Sequence, residues 1–145
     1  MKAIKKLRSF GSGFNKLESL PLLLLRLVLA YGFFNPAKMK LSNLSGIAEW
    51  FEGMGYPLPA ISAFLAAITE GLGVILLLLG LGTRLISLPL MFVMFVAIFT
   101  VHVGNGFEAG NNGFEIPLYY LLMLFTLFIL GSGKFSLDYI LGNKK

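Results

Sequence analysis

The sequence predicts an all-α membrane protein: a four-transmembrane-helix bundle with a short interfacial helix between spans 1 and 2. Three observations predict it. Of 145 residues, 57% are hydrophobic and 13% charged, whereas soluble domains carry roughly 25% charge. The apolar residues run in long blocks, without the alternation that a transmembrane barrel strand needs. The cations gather at the ends of those blocks, where they set topology and meet lipid phosphates. Since lipid satisfies no backbone N–H or C=O group, each block must be a helix.

Residues 1–18 hold Lys2, Lys5, Lys6, Arg8 and Lys16 around Gly11 and Gly13 and read as a basic cytoplasmic arm. The membrane domain occupies 19–145. Its first span, over about residues 20–36, is long enough to be confused with a signal peptide, but no small-residue cleavage site follows it. The next segment, up to Pro59, carries Asn43 and Ser45 as helix starters, Trp50, Phe51 and Tyr56 for headgroup depth, and Pro57 and Pro59 as a stop. This pattern predicts the interfacial helix, with Glu49 and Glu52 turned to water.

The second span covers about residues 60–81 and the third about 85–103. The run GLGTR between them has room only for a tight turn, so the two form an antiparallel hairpin. Ala63, Ala67 and Gly71 repeat every four residues on the second span, a spacing that lets a neighbouring helix approach. The loop GNGFEAGNNG reads as a flexible connector. A fourth span over about 114–131 follows, closed by GSGKFSLDYILGNKK. The arm, Arg84, Lys134, Lys144 and Lys145 fall on one side and only Lys38 and Lys40 on the other. By the positive-inside rule both termini are cytoplasmic.

Several chemistries are excluded. The chain has no cysteine, so it brings no disulfide, thiolate metal site, iron–sulfur ligation or dithiol. Its net charge of +5 sits at span ends, which speaks for lipid and against nucleic acid. Met91, Met94 and His102 suggest copper, yet Met91 and His102 lie about 16 Å apart along a helix axis and cannot share an ion. No metal site is expected, a lone histidine is poor support for haem, and no serine–histidine–carboxylate set or phosphate cradle can be traced.

Four ionisable side chains, Arg26, Glu70, His102 and Glu115, lie one on each span. Insertion scales place a charged residue at the membrane centre near +2.5 to +3.5 kcal/mol, so each needs a partner or water. Counted from the span ends, Arg26 and Glu70 have similar depths, which predicts an Arg26–Glu70 pair. His102 and Glu115 flank one loop, placed to bond each other or to share a ligand. Two readings stay open: a ligand or proton site, and a pairing that only sets helix register.

The chain resembles the DoxX family of small bacterial membrane proteins over about residues 25–141. The resemblance rests on the arginine opening the first span, MGYPLP, TEGLGVILLLLGLGTR, FTVH, NGFEIPLYYLL and GSGKFSLD. It departs at Asn35-Pro36-Ala37-Lys38, where many relatives have a glycine shortly before the lysine. The resemblance implies a bacterial plasma-membrane protein whose polar positions are Arg26, Glu70, His102 and Glu115, with Lys38 weaker. Asn35 lies about 180° around the helix from Arg26. It also implies a link to quinone reduction or to an oxidative-stress complex. If catalytic, the chain is the membrane subunit of a quinone-linked oxidoreductase, with a non-covalent quinone and a protein partner holding the redox cofactor. The alternatives are a non-enzymatic scaffold that stabilises partners, and a small-solute carrier, which would need homo-oligomers.

Overall fold

The structure, a computed structural model, describes residues 17–142. The predicted basic arm lies outside them except for its last two positions, as do Lys144 and Lys145. Six α-helices are described: α1 (Ser19–Ser42), α2 (Leu44–Gly53), α3 (Pro59–Leu79), α4 (Thr83–Ala97), α5 (Glu115–Leu130) and α6 (Leu137–Gly142). No strand is present among the described residues. Helix α4 continues through a π turn, Ile98–His102, and a 3₁₀ turn, Val103–Asn105. With these turns it forms the third long apolar rod, beside α1 and α3. Helix α5 has 16 residues, about 24 Å at 1.5 Å per residue, shorter than the roughly 30 Å of hydrocarbon.

The helices alternate in direction and fall into two pairs, α1 on α3 and α4 on α5. At one end, here the loop end, lie α2 and the glycine-rich connector. At the other, the terminal end, lie the start of α1, the α3–α4 turn and α6.

Helix α1 runs six residues past the expected stop near residue 36, straight through Pro36. Proline already holds a helical φ, and its cost here is a lost N–H, which leaves the Gly32 carbonyl without an intrahelical donor. The helix persists because its buried face, Leu22, Arg26, Leu29, Phe33 and Ala37, continues at three- and four-residue steps across the proline. Asn43 then caps α2, its side-chain oxygen accepting from the Gly46 N–H at 3.1 Å, as expected of an N-cap asparagine. The apolar face of α2 docks inward, with Ile47 and Phe51 buried against Ala63 and the Tyr56 ring stacked on Phe51 at 4.5 Å.

Beside that cluster under α2, the main interior cluster holds Leu22, Leu29, Phe33, Leu77, Leu90, Leu124 and Leu127 with their neighbours. Polarity is inverted relative to a water-soluble fold: Leu85 is 76% and Phe92 68% exposed, while Arg26 is fully buried and Glu70 is 2% exposed. Only a hydrocarbon solvent makes that arrangement favourable. Ala63 and Ala67 are fully buried, on the face the four-residue repeat marks.

Ala67→Leu therefore overpacks α3 and should cost about 1–3 kcal/mol, read as a lower thermal midpoint in detergent. Phe64→Leu, at a half-exposed position on the same helix, should leave the midpoint unchanged.

Candidate functional site

Three polar clusters interrupt the apolar interior. At the terminal end, the Arg26 guanidinium donates through Nη1 to the Leu77 carbonyl at 3.1 Å and through Nη2 to the Phe135 carbonyl. Leu77 lies in the last turn of α3, where carbonyls lack the regular i+4 donor, and its oxygen also accepts from the Gly80 N–H at 3.3 Å. Gly80 ends that helix at φ +63°, and a Cβ there would run into Arg26 and Ser136. Asp138 accepts from the Gly82 and Thr83 N–H groups at 2.7 and 3.2 Å, capping α4 from a distant segment, while its own N–H donates to the Gly80 carbonyl at 3.0 Å. Ser136 Oγ donates to the Gly133 carbonyl and accepts from Ser132 Oγ at 2.9 Å. Arg26 is thus buried with two backbone acceptors on its Nη atoms, its Nε without a partner among the described residues, and reaches no open space.

In the α1–α3 interface, Lys40 Nζ lies 3.0 and 2.8 Å from the two carboxylate oxygens of Glu70. The Lys40 side chain is 13% exposed and that of Glu70 2%. Each carboxylate oxygen meets an ammonium proton, which a buried charge in lipid requires. The pair stands in the last turn of α1, whose partial negative charge also favours the lysine.

The third cluster, at the loop end, is open. His102 closes the π turn, and its Nδ1 lies 2.8 Å from the Asn112 carbonyl. A carbonyl only accepts, so Nδ1 carries the proton and Nε2 of the neutral ring is an acceptor. Nε2 has no partner among the described residues. His102 lines a groove of about 250 Å³ with Gly32, Pro36, Met94, Pro117 and Tyr120. The Tyr120 hydroxyl rests so close to Gly32 that any Cβ there would collide with it, and its ring meets Phe33 edge-on at 5.5 Å. The groove therefore joins an imidazole, a phenol and the Gly32–Pro36 stretch of α1, where the proline offers the Gly32 carbonyl no N–H. Glu115 faces the loop: its oxygens accept from the Ala109 N–H and the Tyr119 hydroxyl, each at 3.0 Å.

The expected Arg26–Glu70 pair does not form. Lys40 takes the glutamate, and Arg26 stands level with Leu77, fourteen residues or about 21 Å of helix from Lys40. Counting from a span end near 36 misjudged its depth, because α1 continues to Ser42. His102 and Glu115 do not bond each other either. Each instead holds the connector, at Asn112 and at Ala109. Asn35 and Lys38 are exposed on α1 and belong to none of the clusters. Sequence reasoning missed Lys40, Tyr120, Gly32 and Asp138. Lys40 carried a usable signal: two heptads after Arg26, it shares that face of a continuous helix. The others depend on contacts between distant segments.

Apolar helices turned outward around buried charges define a multi-pass integral membrane protein in a lipid bilayer. The chain belongs to the DoxX family, whose model matches residues 21–103. That stretch includes Arg26, Lys40, Glu70 and His102. A Haemophilus influenzae protein of unassigned character is 32% identical over 137 residues, covering 92% of this chain and 87% of its own length. A Bacillus subtilis protein provisionally named oxidoreductase CatD is 32% identical over 126 residues, with coverages of 86% and 89%. Another Haemophilus influenzae protein without a stated role is 33% identical over 127 residues, covering 79% and 85%. No solved structure matches the chain.

If Lys40, and not Arg26, is the partner of Glu70, a double-mutant cycle in detergent stability separates them. Lys40→Met and Glu70→Gln should couple by about 1 kcal/mol or more, and Arg26→Lys and Glu70→Gln should add within about 0.5 kcal/mol.

Proposed function

We propose that this DoxX protein is a quinone-interacting membrane subunit of a redox system, binding a quinol headgroup in the groove between α1, α4 and α5. The observation that carries the reading is the His102 ring, held by Asn112 through Nδ1 and with Nε2 unpartnered among the described residues, on the wall of an open, largely apolar groove. At about 250 Å³ the groove is just below the roughly 300–1,000 Å³ of pockets that enclose whole drug-sized ligands. It suits one ring-sized headgroup whose tail stays in lipid. His102 accepts a hydrogen bond from one quinol hydroxyl and takes its proton, the other hydroxyl releases its proton to water at the mouth of the open groove, and the two electrons leave the quinol for a partner. Tyr120 and the Gly32 carbonyl orient the ring. The chain has no cysteine, and its sequence offers no electron carrier of its own, so the electrons pass to a partner protein carrying a flavin, metal or thiol. The name of the Bacillus subtilis relative agrees with a redox setting.

The proposed setting is the bacterial plasma membrane with both termini in the cytoplasm. Arg84 and Lys134 mark the terminal end, and the arm in sequence adds five cations, against Lys38 and Lys40 in the last turns of α1, the latter paired with Glu70. The groove then opens towards the outer leaflet.

The test is binding of decylubiquinol to the purified protein in detergent, followed by calorimetry. His102→Ala should weaken it at least tenfold and Tyr120→Phe about threefold, while Lys38→Gln should leave it unchanged. Binding that ignores His102→Ala, or no binding by the wild type, overturns the reading and leaves the scaffold role.

A further inference from the structure

A second cleft, of about 510 Å³, opens at the terminal end, away from the His102 groove. Its walls include Ser19, Arg84, Leu85, Gly133, Lys134 and Tyr139. The Arg84 guanidinium is braced by one hydrogen bond, Nη2 to the Ile129 carbonyl at 3.1 Å, so its remaining N–H groups stay open to a ligand. Lys134 is exposed, and neither cation forms an ion pair among the described residues. The Lys134 N–H is fixed by Ser19 Oγ at 3.1 Å, which ties the GSGK loop to the start of α1. Arg84 sits in the first turn of α4, where the helix end is itself positive and no acidic residue of the turn offsets it. The ordinary preference for an anion at this place is met from outside the helix only by Asp138, whose two oxygens are committed to Gly82 and Thr83. Glu18, the other acid on the cleft, is exposed at its rim.

The apolar rim identifies the ligand. Leu85 is 76%, Leu130 52% and Tyr139 44% exposed, and they border the cleft where the apolar runs of α4 and α5 end. That is headgroup depth for a helix crossing a bilayer. We infer that this cleft is a binding site for an anionic phospholipid, with Arg84 and Lys134 on the phosphate and the acyl chains lying along Leu85 and Leu130. A soluble phosphate would use the cations but gain nothing from the leucines, whereas a lipid uses both. This inference is independent of the quinol reading, because it concerns the opposite end of the bundle and none of the same side chains.

The experiment is native mass spectrometry of the full chain in detergent, titrated with dioleoylphosphatidylglycerol or dioleoylphosphatidylcholine. One phosphatidylglycerol should be retained per chain, at least tenfold more tightly than phosphatidylcholine. Arg84→Gln with Lys134→Gln should weaken retention about tenfold, and Lys38→Gln, at the other end, should leave it unchanged. If the double variant does not fold, Lys134→Gln alone decides: a threefold loss supports the site, and unchanged retention overturns it. Equal retention of the two lipids, or displacement of phosphatidylglycerol by millimolar inorganic phosphate, overturns the lipid assignment.

Discussion

A guanidinium in hydrocarbon must find its solvent within the protein, and the rest of this structure is arranged around meeting that need at Arg26. Two carbonyls act as its solvent shell, one in the last turn of α3 and one in the linker before α6. Neither belongs to the helix that carries the arginine. Holding the two Nη groups of this one side chain therefore joins α1, the end of α3 and the chain beyond α5. The glycine at residue 80 is required twice, for its left-handed backbone and for the space its missing side chain yields to Arg26 and Ser136. Asp138 completes the closure by capping α4 across the same turn.

The Lys40–Glu70 pair does comparable work further along α1, with opposite charges supplied by side chains instead of backbone. The two solutions differ in what they constrain. Carbonyl oxygens of a helix end cannot move away without unwinding it, so Arg26 defines a rigid end. An ion pair between a lysine and a glutamate fixes only the rotation and depth of two helices relative to each other. Together they hold α1 on α3 at two heights, and Pro36 lies between them without ending the helix.

The open chemistry lies at the loop end, where regular helix geometry gives way. The π turn before residue 103 carries His102, with Thr100 bonded to Tyr56. Such turns occur often at functional sites because they reorient a side chain within a continuing helix. The connector supplies Asn112 to fix the imidazole tautomer, and Glu115 fixes the connector in turn. The groove therefore has an oriented acceptor whose support comes from the loop that borders it.

Hydrophobic length, the positions of glycine and proline, and the placement of cations are local properties, and they were enough to read an all-α bundle in lipid. The α3–α4 hairpin, the interfacial α2 and the buried Ala63–Ala67 face follow from the same reading. Which charge meets which was not legible. Partner choice depends on depth and rotation, and each residue of misjudged helix length moves a side chain by about 1.5 Å and 100°. Six unexpected residues beyond Pro36 were enough to give Glu70 to Lys40 and send Arg26 to Leu77. Likewise, no spacing along the chain announces that Gly32 will meet Tyr120 or that Asn112 will hold His102. Those contacts exist only once antiparallel helices have settled side by side, and the tertiary structure alone decided them.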